Sequence, residues 1–122
     1  MSPTCYVPER GDLVWPTFDS QAGREQAGRR PALVLSPAFY NRRASLALVC
    51  PITNRAKGYP FEVALPCGFA ISGVVLADHV KSADWAGRRV EFAARAPSQI
   101  IAEVTAKLRP LLGVWVHARA SR

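Results

Sequence analysis

Short apolar runs of four to eight residues recur along the chain, separated by Pro, Gly, Asn and Asp. This spacing predicts a β-rich fold. Strands are expected over 12–18, 31–35, 44–51, 61–65, 73–80 and 89–94. The first opens on Asp12-Leu13-Val14-Trp15, and Pro16 within it marks a bulge or an edge. Between the second and third strands, Ser36-Pro37-Ala38-Phe39-Tyr40 reads as a one-turn helix with Ser36 as N-cap and Pro37 at its first position.

The period changes near the C-terminus. From Pro97 to about Leu112 the apolar residues Ile100, Ile101, Val104, Leu108, Leu111 and Leu112 fall on one helical face. Glu103 and Lys107 sit four apart and are expected to pair outside it. Pro110 should kink the helix or end it early, and Gly113 is a natural stop. The expected architecture is mainly β: a small, strongly curved antiparallel barrel or half-barrel over 1–113 carrying a C-terminal helix, followed by a tail at 114–122.

Composition narrows the class. The 122 residues suit one domain, and 49% hydrophobic content supports a real core. A formal charge of +7 favours a polyanionic partner: nucleic acid, an acidic protein segment or a membrane surface. Cys5, Cys50 and Cys67 are odd in number and lack CxxC spacing, so neither a disulfide framework nor a zinc site is indicated. Cys50, within an apolar run, is expected to be a buried free thiol. With no signal peptide and no apolar run of about 18 residues, a soluble protein of a reducing cytosol is expected, and no cofactor is implied.

Two polar loops carry the candidate chemistry. Glu25-Gln26-Ala27-Gly28-Arg29-Arg30-Pro31 feeds the strand Ala32-Leu33-Val34-Leu35, so the strand fixes Arg30 while the glycine permits close approach to a ligand. Arg30 can hold a phosphodiester and stabilise a pentacovalent transition state, or it can pair with Glu25 or Asp78. Strand alternation turns Arg29 to the opposite face. Thr53 begins the second loop, where its hydroxyl can bond a phosphate oxygen, help steer a proton or simply cap a turn.

Lys57 is a candidate phosphate contact, and Phe18, Tyr59 and Phe61 are candidates to stack unpaired bases, Phe61 doubling as a core residue. Asp78 and His79 close another strand, either as an acid–base pair or as an anchoring carboxylate beside a half-exposed imidazole. Two histidines without spaced carboxylates argue against a metal centre, and HExxH, P-loop and GxGxxG patterns are missing.

In order along the chain, Tyr6-Val7-Pro8, Gly11-Asp12-Leu13-Val14-Trp15, the run Glu25 to Pro37, and Tyr40-Asn41 form one set of blocks. Pro51-Ile52-Thr53, Lys57-Gly58-Tyr59-Pro60-Phe61-Glu62-Val63 and Leu76-Ala77-Asp78-His79-Val80-Lys81-Ser82 form another. Together they resemble the MazF/PemK family of toxin ribonucleases, the mRNA interferases, and most resemble its MazF branch. The resemblance runs from residue 6 to 113.

It implies an SH3-like β-barrel of the CcdB/MazF/PemK type, working as a homodimeric toxin of a type II toxin–antitoxin system. Such enzymes cut single-stranded RNA without a metal, leaving a 2′,3′-cyclic phosphate and a 5′-hydroxyl. The family's arginine falls on Arg30 and its threonine on Thr53, the expected catalytic pair. Its first loop flanks the RNA groove, which makes Glu25 and Gln26 RNA-binding candidates beside Phe18, Lys57, Asp78 and His79. The PemK branch places an arginine where this chain has Leu76, and relatives often carry glutamine at position 79, so His79 suits a base contact.

The resemblance also implies an acidic, MazE-like antitoxin as protein partner. Arg30, always protonated, suits an electrostatic clamp rather than a general base. Thr53, Glu25, Asp78 and water are the candidates for that base. Two other readings are a non-catalytic toxin that inhibits a protein such as DNA gyrase through the C-terminal helix and tail, and a plain RNA-binding module.

Overall fold

The computed structural model of the protein describes residues 6–16 and 30–114. Phe18, Glu25, Gln26, Arg29, Cys5 and the tail beyond Val114 lie outside them. Seven strands form one antiparallel sheet: β1 (Asp12–Trp15), β2 (Ala32–Val34), β3 (Ala47–Thr53), β4 (Glu62–Ala64), β5 (Val74–Leu76), β6 (Lys81–Ala83) and β7 (Glu91–Arg95). Their order is β4-β5-β3-β2-β1-β7, with β6 also paired to β3. Helix α1 (Ala38–Ala44) joins β2 to β3, and α2 (Ser98–Leu111) follows β7.

The sheet is apolar on both faces at its centre, as the unbroken runs Leu33-Val34 and Val49-Cys50 require. Leu13, Leu33, Cys50 and Ile52 point to one face and pack with Ile100, Val104 and Leu108 of α2. Val14, Val34, Ala47 and Val49 point to the other, where Tyr6, Trp85 and Val90 cover them. A register shift between Leu13 and Val14 in the β1–β7 pair bends the sheet into a barrel-like curl. That bulge precedes Pro16, which ends a strand lying between β2 and β7 rather than at an edge.

β3 organises the rest. The Ile52 N–H donates to the Pro31 carbonyl (3.0 Å) and Leu35 N–H to the Leu48 carbonyl (2.8 Å), so even-numbered β3 residues bond to β2. Odd-numbered ones face the far side, where Ala47 and Val49 pair with β6 and Thr53 with β5. Pro51 lies where one partner gives way to the other, and it has no N–H to leave unpaired.

The expected strand over 73–80 therefore stops at Leu76. Ala77–His79 form a 3-10 turn in the gap, and the chain resumes as β6, which the apolar pattern did not reveal. A turn here needs a small buried residue against β3, and Ala77 is fully buried, its carbonyl facing the Cys50 thiol at 3.6 Å.

Both helices depart from expectation in their polar contacts. Pro37, not Ser36, stands at the α1 N-cap, and the Glu9 carboxylate accepts from Ala38 N–H (2.9 Å). Ser36 instead accepts from Leu48 N–H and donates to the Asn41 side chain. In α2, Glu103 bonds Gln99 while the Lys107 ammonium reaches the Pro60 carbonyl (2.6 Å), so the two do not pair. Leu111 and Leu112 are exposed: the buried residues of α2 are Ile100, Val104 and Leu108, and the helix ends at Leu111, just after Pro110.

Polar bonds tie the N-terminal segment down. The buried Asp12 carboxylate accepts from Tyr6 Oη–H, from Glu9 N–H (3.0 Å) and from Arg95 Nη1 (2.8 Å). Asn41, fully buried, donates through Nδ2 to the carbonyls of Pro8 (2.8 Å) and Ser36 (3.0 Å). Asn41→Ala would leave both carbonyls without that donor in a dry site. A loss of about 3 kcal/mol is expected, read as a lower urea midpoint without change in the slope.

Candidate functional site

Arg30 enters β2 next to Pro31. The β2–β3 register sets Ala32 opposite Pro51 and Leu33 opposite Cys50. Continued outward, it sets Arg30 opposite Thr53 in a non-hydrogen-bonded pair, the geometry in which facing side chains lie closer. Both residues share the parity of Val34 and Val49, so both belong to the face opposite α2. Two sites separated in sequence are thus neighbours across one ladder.

That face opens into a pocket of about 450 Å³. Val14, Val34 and Val49 line its floor. Arg30, His79, Lys81 and Arg88 contribute cationic or imidazole groups, and no carboxylate occurs among the described residues lining it. Arg30, His79, Lys81 and Arg88 are exposed, and exposed positive groups around an apolar floor suit a ligand with an apolar body and an anionic part. Among the described residues Arg30 makes no ion pair, so the alternative of pairing with Asp78 is not realised.

Thr53 takes the turn-capping role: its Oγ1 accepts from Arg55 N–H (3.1 Å). The hydroxyl proton remains able to donate to a ligand, so cap and contact are compatible. Behind Thr53, Gly73 adopts φ +123°, and a Cβ there would come within 2.5 Å of the Thr53 carbonyl. Sequence reading missed Gly73 because nothing local in Ser72-Gly73-Val74 announces the approach of another strand.

The pair Asp78–His79 is not built as an acid–base dyad. Oδ1 and Nε2 are 3.9 Å apart, beyond hydrogen-bond range, with side-chain exposures of 43% and 58%. Among the described residues Asp78 also anchors no arginine or loop amide. Its charge is felt below: burial, with Asp78 adding to it, pushes the Cys50 thiol up to about 12.

A family model described as a PemK-like, MazF-like toxin of type II toxin–antitoxin systems matches residues 9–112. The chain belongs to this family. It is 45% identical over 108 residues to the endoribonuclease toxin MazF of Escherichia coli K12, covering 88% of this chain and 96% of that one. To the Escherichia coli endoribonuclease PemK it is 36% identical over 108 residues, covering 85% and 81%. Among solved structures, a MazE–MazF crystal structure from Deinococcus radiodurans superposes with a TM-score of 0.80 at 55% identity, covering 90% of this chain and 99% of the other. The MazF branch is the nearer of the two named branches.

Within this MazF-like frame the residues expected from sequence are unevenly gathered. Arg30 and His79 line the pocket; Thr53, the last residue of β3, does not, although the β2–β3 register continued past Ala32 sets it level with Arg30. Lys57 does not line it; it lies on the loop after β3, where the Glu62 carboxylate accepts from the N–H groups of Lys57 (2.9 Å) and Gly58 (3.0 Å). The Lys57 ammonium sits 5.9 Å from the centre of the Tyr59 ring. Tyr59 is exposed and Phe61 is half-buried at the end of that loop. Phe18, Glu25 and Gln26 fall outside the described residues. Sequence reading missed Lys81, Trp85 and Arg88 as pocket residues. Their only signal was a basic and aromatic turn after Asp78.

Two measurements probe this construction. Gly73→Ala should lower stability by roughly 1–3 kcal/mol through strain against β3, while Gly58→Ala, with nothing within 4 Å of its Cβ, should cost about 1 kcal/mol; urea titration ranks them. The second concerns Cys50. Its thiol ionises near 8.5 in the unfolded chain but keeps its proton in the folded state up to about 12. The folded state therefore holds the extra proton, and stability falls as pH rises through that window. Cys50→Ala should make the decline between about pH 9 and 10.5 shallower by roughly 1.4 kcal/mol per pH unit.

Proposed function

We propose that this MazF-type endoribonuclease toxin cleaves single-stranded RNA without a metal, with Arg30 and Thr53 at the reacting phosphate. The observation that carries the reading is the cationic pocket, without a carboxylate among its described lining residues, that Arg30 lines; the β2–β3 register, continued past Ala32, brings Thr53 level with Arg30 and supports it. In the reaction a ribose 2′-oxygen attacks the adjacent phosphorus and the P–O5′ bond breaks. The 2′-proton leaves to a base, O5′ gains a proton, and the products are a 2′,3′-cyclic phosphate and a 5′-hydroxyl.

The nucleophile belongs to the substrate, so the enzyme's work is alignment and charge stabilisation. Arg30, rooted at the start of a central strand, offers a planar fork to the phosphorane oxygens and remains charged throughout. Thr53 donates its hydroxyl proton to a phosphate oxygen while its lone pair holds the turn through Arg55. His79 on the rim contacts a base, and Lys57 meets the backbone beyond the site. Phe18, Glu25 and Gln26 contact RNA from the first loop, and Asp78 contacts it from the 3-10 turn.

The same positive surface suits an acidic, MazE-like antitoxin segment, since the chain carries +7 and such a segment competes for the charges that RNA uses. The MazE–MazF crystal structure from Deinococcus radiodurans supports a partner of this kind. Homodimeric assembly and a cytoplasmic site of action complete the proposal. Among the described residues no helix is long and apolar enough to cross a membrane.

Purified protein is expected to cut a long mixed-sequence RNA in excess EDTA, at sites mapped by primer extension. Arg30→Ala should lower the rate at least about 100-fold, and Thr53→Val roughly tenfold or more, with circular dichroism unchanged. An Arg30→Ala protein that cuts at the wild-type rate would sink the assignment. An oligonucleotide with 2′-deoxyribose at the attacking position should bind and inhibit uncut.

A further inference from the structure

Trp85 lines the same pocket as Arg30, yet the cleavage chemistry leaves it without a task. Its indole Nε1–H donates to the Asn41 carbonyl (3.0 Å), and Asn41 is itself fully buried. The ring is therefore held in place by its only polar group, and the surface it still presents is π-face and hydrocarbon. The turn that carries it is closely built. Arg88 N–H donates to the Asp84 carbonyl (3.0 Å) and Val90 N–H to the Trp85 carbonyl (3.2 Å). Gly87 N–H donates to Asp84 Oδ1, and a Cβ at position 87 would meet that carboxylate at 2.4 Å.

The wall completes a pattern. The floor is valine side chains, the wall a fixed indole, the rim Arg30, His79 and Lys81. A volume of about 450 Å³ lies within the small-ligand range and takes one nucleotide rather than a strand. A flat apolar body with phosphates attached is what this shape admits, the base inside and the phosphates at the rim.

We propose that Trp85 is a specificity-determining residue: one nucleobase next to the cleaved phosphate leaves its neighbours and lies against the indole, over the valine floor. The proposal rests on the endoribonuclease reading and adds to it a residue that holds a base. Because the indole N–H is already spent, Trp85 selects by shape and stacking area, which favours a purine at that position. Asn41 is the positioning residue behind it, fixing the indole and, through the Pro8 carbonyl, a second pocket-lining residue.

The test uses the full chain and a set of oligoribonucleotides spanning a mapped cut, each with 2′-deoxyribose at the attacking nucleotide to prevent cleavage. Each member carries one abasic position, and binding is measured by fluorescence anisotropy. In the wild type one abasic position adjacent to the cut should weaken binding roughly tenfold. In Trp85→Leu that penalty should vanish while penalties at other positions persist, and in Trp85→Phe most of it should survive. A uniform weakening across the set would indicate a merely structural role and overturn the proposal, as would an unchanged penalty in Trp85→Leu.

If Trp85→Leu does not fold, Trp85→Phe decides alone: a purine-over-pyrimidine preference reduced at that one position supports stacking, and an unaltered preference overturns it. Wild-type protein that binds RNA with no abasic-sensitive position also overturns it and leaves the pocket to a peptide such as an antitoxin segment. Wild-type protein that neither binds nor cuts RNA defeats the endoribonuclease reading itself, a failure seen before any variant is made.

Discussion

The structure depends on how β3 divides its hydrogen bonds. One side runs continuously against β2, and the other must serve β6 and then β5 with a gap between them. A residue with a backbone N–H in that gap would need a partner that neither strand supplies. Pro51 removes the requirement, and the 3-10 turn Ala77–His79 fills the space with a fully buried alanine beside the Cys50 thiol. The same break puts His79 and Lys81 on the pocket rim. Fold and site are thus decided at one position of one strand.

From that strand the division of the two faces follows. Alternation sends Cys50 and Ile52 toward α2 and sends Val49, with Thr53, to the opposite side. A site mounted on a continuous ladder inherits its stiffness, which holds its side chains in a fixed arrangement. The apolar floor matters as much as the charges. Val14, Val34 and Val49 give the pocket an apolar base, while Arg30 itself is exposed and free to meet a ligand. Long-range polar bonds hold the pieces together: Asp12 ties Tyr6 to Arg95, and Asn41 ties Pro8 to Trp85.

Local patterns were legible where the residue itself carries the physics. The apolar runs of β1 to β5 and β7, the face of α2 through Ile100, Val104 and Leu108, and the buried Cys50 could be read because burial of such side chains dominates their placement. Arg30 and Thr53 stood out from their loop-to-strand settings. Contacts between distant segments were not legible in the same way. Ser36 looked like a cap and Glu103 like a partner of Lys107 by spacing alone, but Glu9 and Pro60 reach those helices from elsewhere in the chain. β6 has no apolar run because its three residues lie half-buried or exposed on an outer rung.

The sequence alone determined a basic, β-rich chain with one amphipathic helix, and it named an arginine and a threonine in two separate loops. It did so because apolar periodicity and side-chain chemistry are properties of short segments. Only the tertiary structure decided the β2–β3 register, which, continued past Ala32, brings these two residues level, because register depends on a partner many residues away. It also decided that Asp78 and His79 stand too far apart to work as a dyad, and that a tryptophan from a later turn walls the same pocket. Those facts belong to the packing of β3 against its three neighbours, which no single stretch of sequence contains.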